Sequence, residues 1–348
     1  MANFDFSNVT LNPKEVTELS QAVFETAFTN PALTKMHKIH TGIDMTTQIL
    51  LFGKMGLVGK GLGDNCAVSD DTAPIVATQK YWENNKIGVR LAHCKDDLPA
   101  LLKAFGQKQN KYDVTGSDEV KVLADGLLEG LDESIYRMAW FGDKQAKTIV
   151  SGGTFTNGTD LGYFNEVDGI WKQVFDGVTA GKIKRIVVAA NTGTTYAAQE
   201  LAAGAGLELL RKVYNGSDSR LKNSTDAKFI VTQSIFDNFM DKLEDSGLNA
   251  VGSLAINDGV MTYRGKEIIV AEFMDRLIDG YQDNGTKRNL PNRIVFSTPE
   301  NLPIGTLDEG EFKSLNVWYE NKDRKVYLEN IFSLDAKVLE EYLITVAY

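Results

Sequence analysis

The sequence predicts an α+β fold, on three observations. One amphipathic helix pattern stands near the N-terminus, ahead of any core-forming stretch. A long extended region rich in glycine follows it. From about residue 166 strands and helices alternate regularly, and the chain closes in strands alone.

The first element is NPKEVTELSQAVFETAFTN (12–30). Asn12 serves as N-cap, Pro13 takes the first helical position, and Glu15 completes a capping box. Val16, Leu19, Val23, Phe24, Ala27 and Phe28 then form one apolar stripe. A stripe so far ahead of the core must dock on its own chain or on another subunit.

Residues 45–95 read as two extended segments on either side of GKMGLVGKGLGDNC (53–66), with glycines at 53, 56, 59, 61 and 63. Spacing excludes a phosphate loop. Gly59-Lys60 is followed by Gly61 where a hydroxyl residue is required, and Lys54 stands where the first glycine belongs. The dinucleotide pattern fails as well, because Gly59-x-Gly61 leads to Asp64. No helical period follows, so a mobile loop is expected, with no cofactor. The second segment, TAPIVATQKYWENNKIGVRLAHC (72–94), is rich in β-formers with polar residues on both faces. An arm of that composition buries little by itself.

SDEVKVLADGLLEGLDESIYRMAW (117–140) predicts the longest helix, capped by Ser117 and striped by Val120, Leu123, Leu127, Leu131, Ile135 and Met138. It would run roughly 35 Å. Gly126 and Gly130 inside it cost about 1 kcal/mol each relative to alanine.

The alternating part follows. A helix is expected over 168–181, a buried strand over IKRIVVAA (183–190) and a helix over 194–216. AKFIVTQ (227–233) predicts a strand and SIFDNFMDKLEDSG (234–247) a helix closed by Gly247. VMTYRGKEIIVAE (260–272) predicts a hairpin turning at Arg264-Gly265, and NRIVFST (292–298) a further strand. SLNVWYE (314–320) and KVYLENIF (325–332) are strands joined through NKDR, and EYLITVAY (341–348) is the closing strand.

Composition bounds the function. The chain has 348 residues, 43% hydrophobic, long enough for about two domains. No run of 18 apolar residues occurs, so no membrane partner is expected, and MANFDFSNVT lacks the pattern of a signal peptide. Cys66 and Cys94 make no disulfide framework. The net charge is −10, from 37 basic and 47 acidic residues. Only residues 31–60 lean basic, so contact with double-stranded DNA is expected to be weak, non-specific and salt-dependent. His37 and His40 lie three apart and His93 adjoins Cys94, yet no C-x-x-C spacing gathers them with Cys66 into a zinc site. Three histidines without a G-x-S-x-G turn give no support to a hydrolase. No metal and no enzyme activity are expected.

The order of elements resembles the tailed-bacteriophage major capsid protein family, which shares its fold with encapsulin shell proteins. The residues that carry the resemblance are AKFIVTQSIFDNFMDKLEDSG, MTYRGKEIIVAE, NRIVFSTPENLPIG and the closing EYLITVAY. It implies an N-terminal arm (1–44), an extended β-loop (45–95) and a peripheral domain with the long spine helix (96–165). An α/β axial domain (166–300) and peripheral return strands (301–348) complete it. GKMGLVGKGLG then becomes the bendable tip of a loop lying across a neighbouring subunit. The resemblance implies a major head protein that self-assembles through hexamers and pentamers into an icosahedral shell around the phage genome. The shell would belong to the virion and be assembled in the host bacterial cytoplasm. Scaffolding, portal or decoration proteins are its possible further partners. Phe24, Phe28, Lys54, Gly59, Lys60, Gly61 and Gly63 are the expected subunit-interface residues. Some relatives cross-link a loop lysine to an asparagine, for which Lys54, Lys60 and Asn330 would be the candidates. Two alternatives stay open: an encapsulin-like nanocompartment shell protein, and a soluble α/β enzyme built on 166–300.

Overall fold

The computed structural model describes residues 31–43, 47–52, 77–94, 130–146, 161–246, 256–257, 260–307, 316–320, 322–323 and 325–348. The runs FIV in Lys228–Val231 and IVF in Ile294–Ser297 are apolar at successive positions, which suits strands covered on both faces. They are neighbours in a seven-stranded sheet. Its spatial order is Lys184–Ile186, Thr345–Ala347, Ile294–Ser297, Lys228–Val231, Lys266–Val270, Val260–Tyr263 and Ile256–Asn257. Ile294–Ser297 runs antiparallel to both neighbours, with Val295 opposite Ile230 on one side and Val346 on the other.

Alternation along these strands feeds two cores. Phe229, Val231, Ile294 and Phe296 meet Leu210 and Val213 of helix Ala205–Gly216 and Ile235 and Phe239 of helix Gln233–Ser246. Phe229 and Phe296 stack there with centroids 4.2 Å apart. Ile230, Val295 and Val346 face the other way, onto Trp171 of helix Ile170–Thr179, Met274 and Leu277 of helix Glu272–Tyr281, and Trp140. Trp140 belongs to a helix over 130–141 that is buried from Ser134 onward.

The same core also covers a five-stranded sheet. Its long strand, Lys325–Ala336, pairs with Asn85–Cys94, Asn316–Glu320 and Ile304–Gly305, and the last of these pairs in parallel with Ile39–His40. Gln48–Phe52 and Ala77–Tyr81 form a separate two-stranded antiparallel ribbon.

Arg264 (φ 51) and Gly265 (φ 75) make the hairpin turn expected there, both in the left-handed region that a tight two-residue turn requires. Four differences stand out. Of IKRIVVAA only Lys184–Ile186 is a strand, and it is an exposed edge rather than a buried strand. The helix expected from 194 begins at Ala205, because Gly204 adopts φ 77 and the chain before it forms only a short 3-10 turn. Helix Glu272–Tyr281, with Phe273, Met274, Leu277 and Ile278 buried, follows the hairpin where no helix was expected. Finally, the closing strand Thr345–Ala347 lies inside the seven-stranded sheet, whereas it was grouped with the return strands of 301–348. The expected helix over 12–30 and the part of the 117–140 helix before residue 130 lie outside the described residues.

Candidate interaction surface

Among the described side chains of the ribbon, Gln48, Gln79 and Tyr81 are exposed and Ile49 and Lys80 half-buried. Its base is fastened at several points. Lys80 Nζ donates to the Val338 carbonyl at 2.7 Å and to Glu341 Oε1 at 2.8 Å. Trp82 is buried against Gly305, where an added Cβ would come within 2.7 Å of the indole. Asn84 Nδ2 donates to the Ile43 carbonyl and to Ser333 Oγ, tying the chain after the ribbon into the five-stranded sheet. Between Lys80 and Trp82, at that same base, Tyr81 is 52% exposed. An isolated two-stranded ribbon is marginally stable in water, so this one gains from a surface laid over it.

Lys54, Gly59, Lys60, Gly61 and Gly63 fall in the connection between the two ribbon strands, and Phe24 and Phe28 in the expected N-terminal helix. All seven lie outside the described residues. Asn330 is buried in strand Lys325–Ala336, with neither its side-chain oxygen nor its nitrogen hydrogen-bonded among the described residues. An amide so placed is not on a surface that a neighbour's lysine reaches directly.

His37 and His40 are held by different contacts. His37 is buried: Nδ1–H donates to the Leu302 carbonyl at 2.7 Å, while Nε2 accepts from Trp140 Nε1 at 2.9 Å. Burial pulls its pKa down to about 4, partly offset by the Leu302 carbonyl. Both nitrogens of the neutral ring are committed, so His37 is a rivet between the segment after helix Pro31–Met36, the 130–141 helix and the 302 loop. His40 lies beside Trp82. No cluster of three or more metal-ligating side chains occurs among the described residues.

Two further ionisable groups, one fully buried and one half-buried, were not legible in the sequence. Arg293 is fully buried, with no carboxylate partner among the described residues. It donates to Gln282 Oε1 at 2.7 Å and to the carbonyls of Leu290 (2.7 Å) and Asn289 (2.9 Å), and lies over Trp171. Burial draws its pKa down to about 9. It shapes the 282–292 loop from inside. Asp275 accepts from the Gln233 amide at 2.9 Å, and burial raises its pKa to about 6. These contacts hold helix and loop termini; none is arranged around a space for a reacting substrate.

No family model matches the chain, and no curated protein matches it in sequence. Solved structures do match. The procapsid of satellite phage P4 that includes the size determination (Sid) protein has a chain similar over 94% of this one and 98% of its own. The TM-score is 0.53 and the identity 10%. The capsid of cyanophage P-SCSP1u is similar over 90% of this chain and 86% of its own, at TM-score 0.48 and 12% identity. The holo-SrpI encapsulin complex from Synechococcus elongatus is similar over 91% and 87%, at TM-score 0.44 and 10% identity. The chain has the tailed-phage major capsid fold.

Proposed function

We propose that this chain is a capsid shell subunit, the major head protein of a tailed phage, which self-assembles through hexamers and pentamers around double-stranded DNA. The observation that carries this reading is the backbone likeness to a procapsid chain from end to end, over 94% of this chain and 98% of that one. The under-covered ribbon supports it, since a shell supplies the missing neighbour in every copy. In this reading residues 1–44 are an arm and 45–95 an extended loop, with peripheral and axial parts following. Thr345–Ala347 completes the axial sheet. Phe24 and Phe28 dock on a neighbour, and the segment with Lys54, Gly59, Lys60, Gly61 and Gly63 lies across one. The shell is part of the virion, it works without a cofactor or catalysis, and its contact with DNA is weak.

Negative-stain microscopy and light scattering of the expressed chain test the reading. Rings or closed particles support it, and a monodisperse monomer at high concentration refutes it. Particles filled with protein cargo in place of DNA would move the reading to an encapsulin-like compartment. Replacing Gly59, Gly61 and Gly63 together by valine is expected to yield misshapen particles from folded subunits.

A further inference from the structure

Helix Ala205–Gly216 separates two charged surfaces. At its C-terminal end three cations converge on Tyr214–Gly216. Lys222 Nζ donates to the Asn215 carbonyl at 2.8 Å, and Arg264 Nη1 donates to Asn215 Oδ1 at 3.1 Å. Lys184 Cε lies 3.3 Å from where a Cβ at Gly216 would sit. Lys266, two residues past Arg264, donates to the nearby Ser224 carbonyl. None of these four cations forms an ion pair among the described residues. Lys184 and Arg264 are exposed.

At the N-terminal end of the same helix lies a half-open cleft of about 280 Å³, lined by Tyr196, Glu200, Asp237, Asp241 and Arg288 among others. Asn238 joins the cleft to the helix start, its Oδ1 accepting from the Gly206 amide at 2.8 Å. Asp237 accepts from Gln233 Nε2, and the cation lining the cleft, Arg288, is held by Asp279 at 2.6 Å. Glu200 and Asp241 are exposed and have no cationic partner among the described residues. The two surfaces stand about 18 Å apart, the length of the helix. The helix dipole favours this polarity of charge at each end. It does not explain why Lys184, Arg264, Glu200 and Asp241 all stand without an ion-pair partner among the described residues.

We infer that the two surfaces are the halves of one head-to-tail interface between copies of this chain, the basic turn around Tyr214–Gly216 and Arg264 docking in the next copy's acidic cleft. The inference rests on the shell reading and names the contact. A patch and its complement at different places on one subunit make a heterologous interface, which closes into rings when the rotation allows. Charge complementarity favours a second copy over nucleic acid. Four cations on a chain of net charge −10 fall short of a stripe that tracks a phosphate backbone, and their complement is present on the same subunit.

The test uses two charge-reversed chains, Lys184→Glu with Arg264→Glu and Glu200→Lys with Asp241→Lys, all at exposed positions. Circular dichroism checks that each folds like the parent, and analytical ultracentrifugation with microscopy reads assembly. Each variant alone is expected to self-associate more than about tenfold more weakly, because like charges then face each other. Mixing the two restores association, since every cross-contact again pairs opposite charges, and closed rings then hold even numbers of subunits. Folded variants that assemble like the parent overturn the inference and leave the shell reading standing. A parent that stays monomeric overturns both. Loss of DNA binding in the first variant with assembly unchanged assigns the basic turn to phosphates and also overturns it.

Discussion

Val231 and Val295 sit in strands with partners on both sides and helices over both faces, while Gln48–Phe52 and Ala77–Tyr81 pair, among the described residues, only with each other. Both regions are written in β-forming residues. The difference lies in what completes them. The seven-stranded sheet meets Trp171 and Trp140 on one side and Leu210 and Phe239 on the other, all from its own chain. The ribbon is anchored at its base by Lys80 and the buried Trp82, while its Gln48, Gln79 and Tyr81 side chains are exposed. In the proposed shell, stability is local to the chain in the first case and shared with a neighbour in the second.

The hardest test of that contrast is Phe296→Ala. Phe296 is fully buried and stacked on Phe229, so its removal leaves a cavity under two helices. The free subunit is expected to lose about 3–5 kcal/mol. Urea denaturation measures it, and a loss below about 1 kcal/mol would mean that the sheet is not the stability centre.

The rivet at His37 gives the next largest effect, through pH. Its folded pKa of about 4 lies below the unfolded value of 6.5. The unfolded chain therefore takes up this proton first as pH falls, and stability drops between pH 6.5 and 4. The lowered pKa corresponds to roughly 3 kcal/mol over that window. Protonation also sets an N–H against the Trp140 donor. A His37→Gln chain is expected to be less stable at neutral pH and to lose this part of the slope. An unchanged slope would place the titration elsewhere.

Asp275 acts in the opposite sense and more weakly. Its folded pKa of about 6 lies above the unfolded value, so the native state binds this proton more tightly and loses stability as pH rises from about 4 to 6. Partial exposure of the carboxylate limits the effect to about 1–2 kcal/mol after solvent screening. Asp275→Asn keeps an acceptor for the Gln233 amide and removes the charge. It is expected to raise the melting temperature at pH 7 and leave it nearly unchanged at pH 4. Equal shifts at both pH values would point to packing, not ionisation.

The sequence made the α/β part legible where local chemistry decides the structure. Arg264-Gly265 reads as a turn because few residue pairs tolerate positive φ twice. AKFIVTQ and NRIVFST read as strands because an unbroken apolar run needs cover on both faces. IKRIVVAA misled because its residues form strands readily, while its place at the sheet edge depends on the closing strand more than 150 residues later. EYLITVAY was read as a strand, but its partners come from 184–186 and 294–296, and pairing across such distances leaves no local mark. The candidate surface was harder still. His37 reads as an ordinary histidine until residues 140 and 302 close around it. Glu200 and Asp241 become one cleft only when the helix they flank is in place.

The smallest effect sharpens the comparison most. Tyr81 is 52% exposed at the base end of the ribbon, and its one side-chain bond among the described residues, to Gln79 Oε1 at 3.2 Å, is itself exposed. Tyr81→Ser should therefore change the unfolding free energy of the isolated subunit by less than about 0.5 kcal/mol, the usual range for surface positions. If a neighbour covers the ribbon, the same substitution removes a large aromatic contact in every copy and weakens assembly out of proportion to its effect on the monomer. Amide hydrogen exchange separates the two contributions. In free subunits the amides of 48–52 and 77–81 should exchange well before those of Phe229–Val231, because a two-stranded ribbon opens locally while the covered sheet opens only on global unfolding. In assembled particles the ribbon amides should slow, and Tyr81→Ser should reverse part of that slowing. Ribbon amides protected in the free subunit as strongly as the sheet would show that the ribbon is complete within its own chain, and the need for a neighbour would fall away.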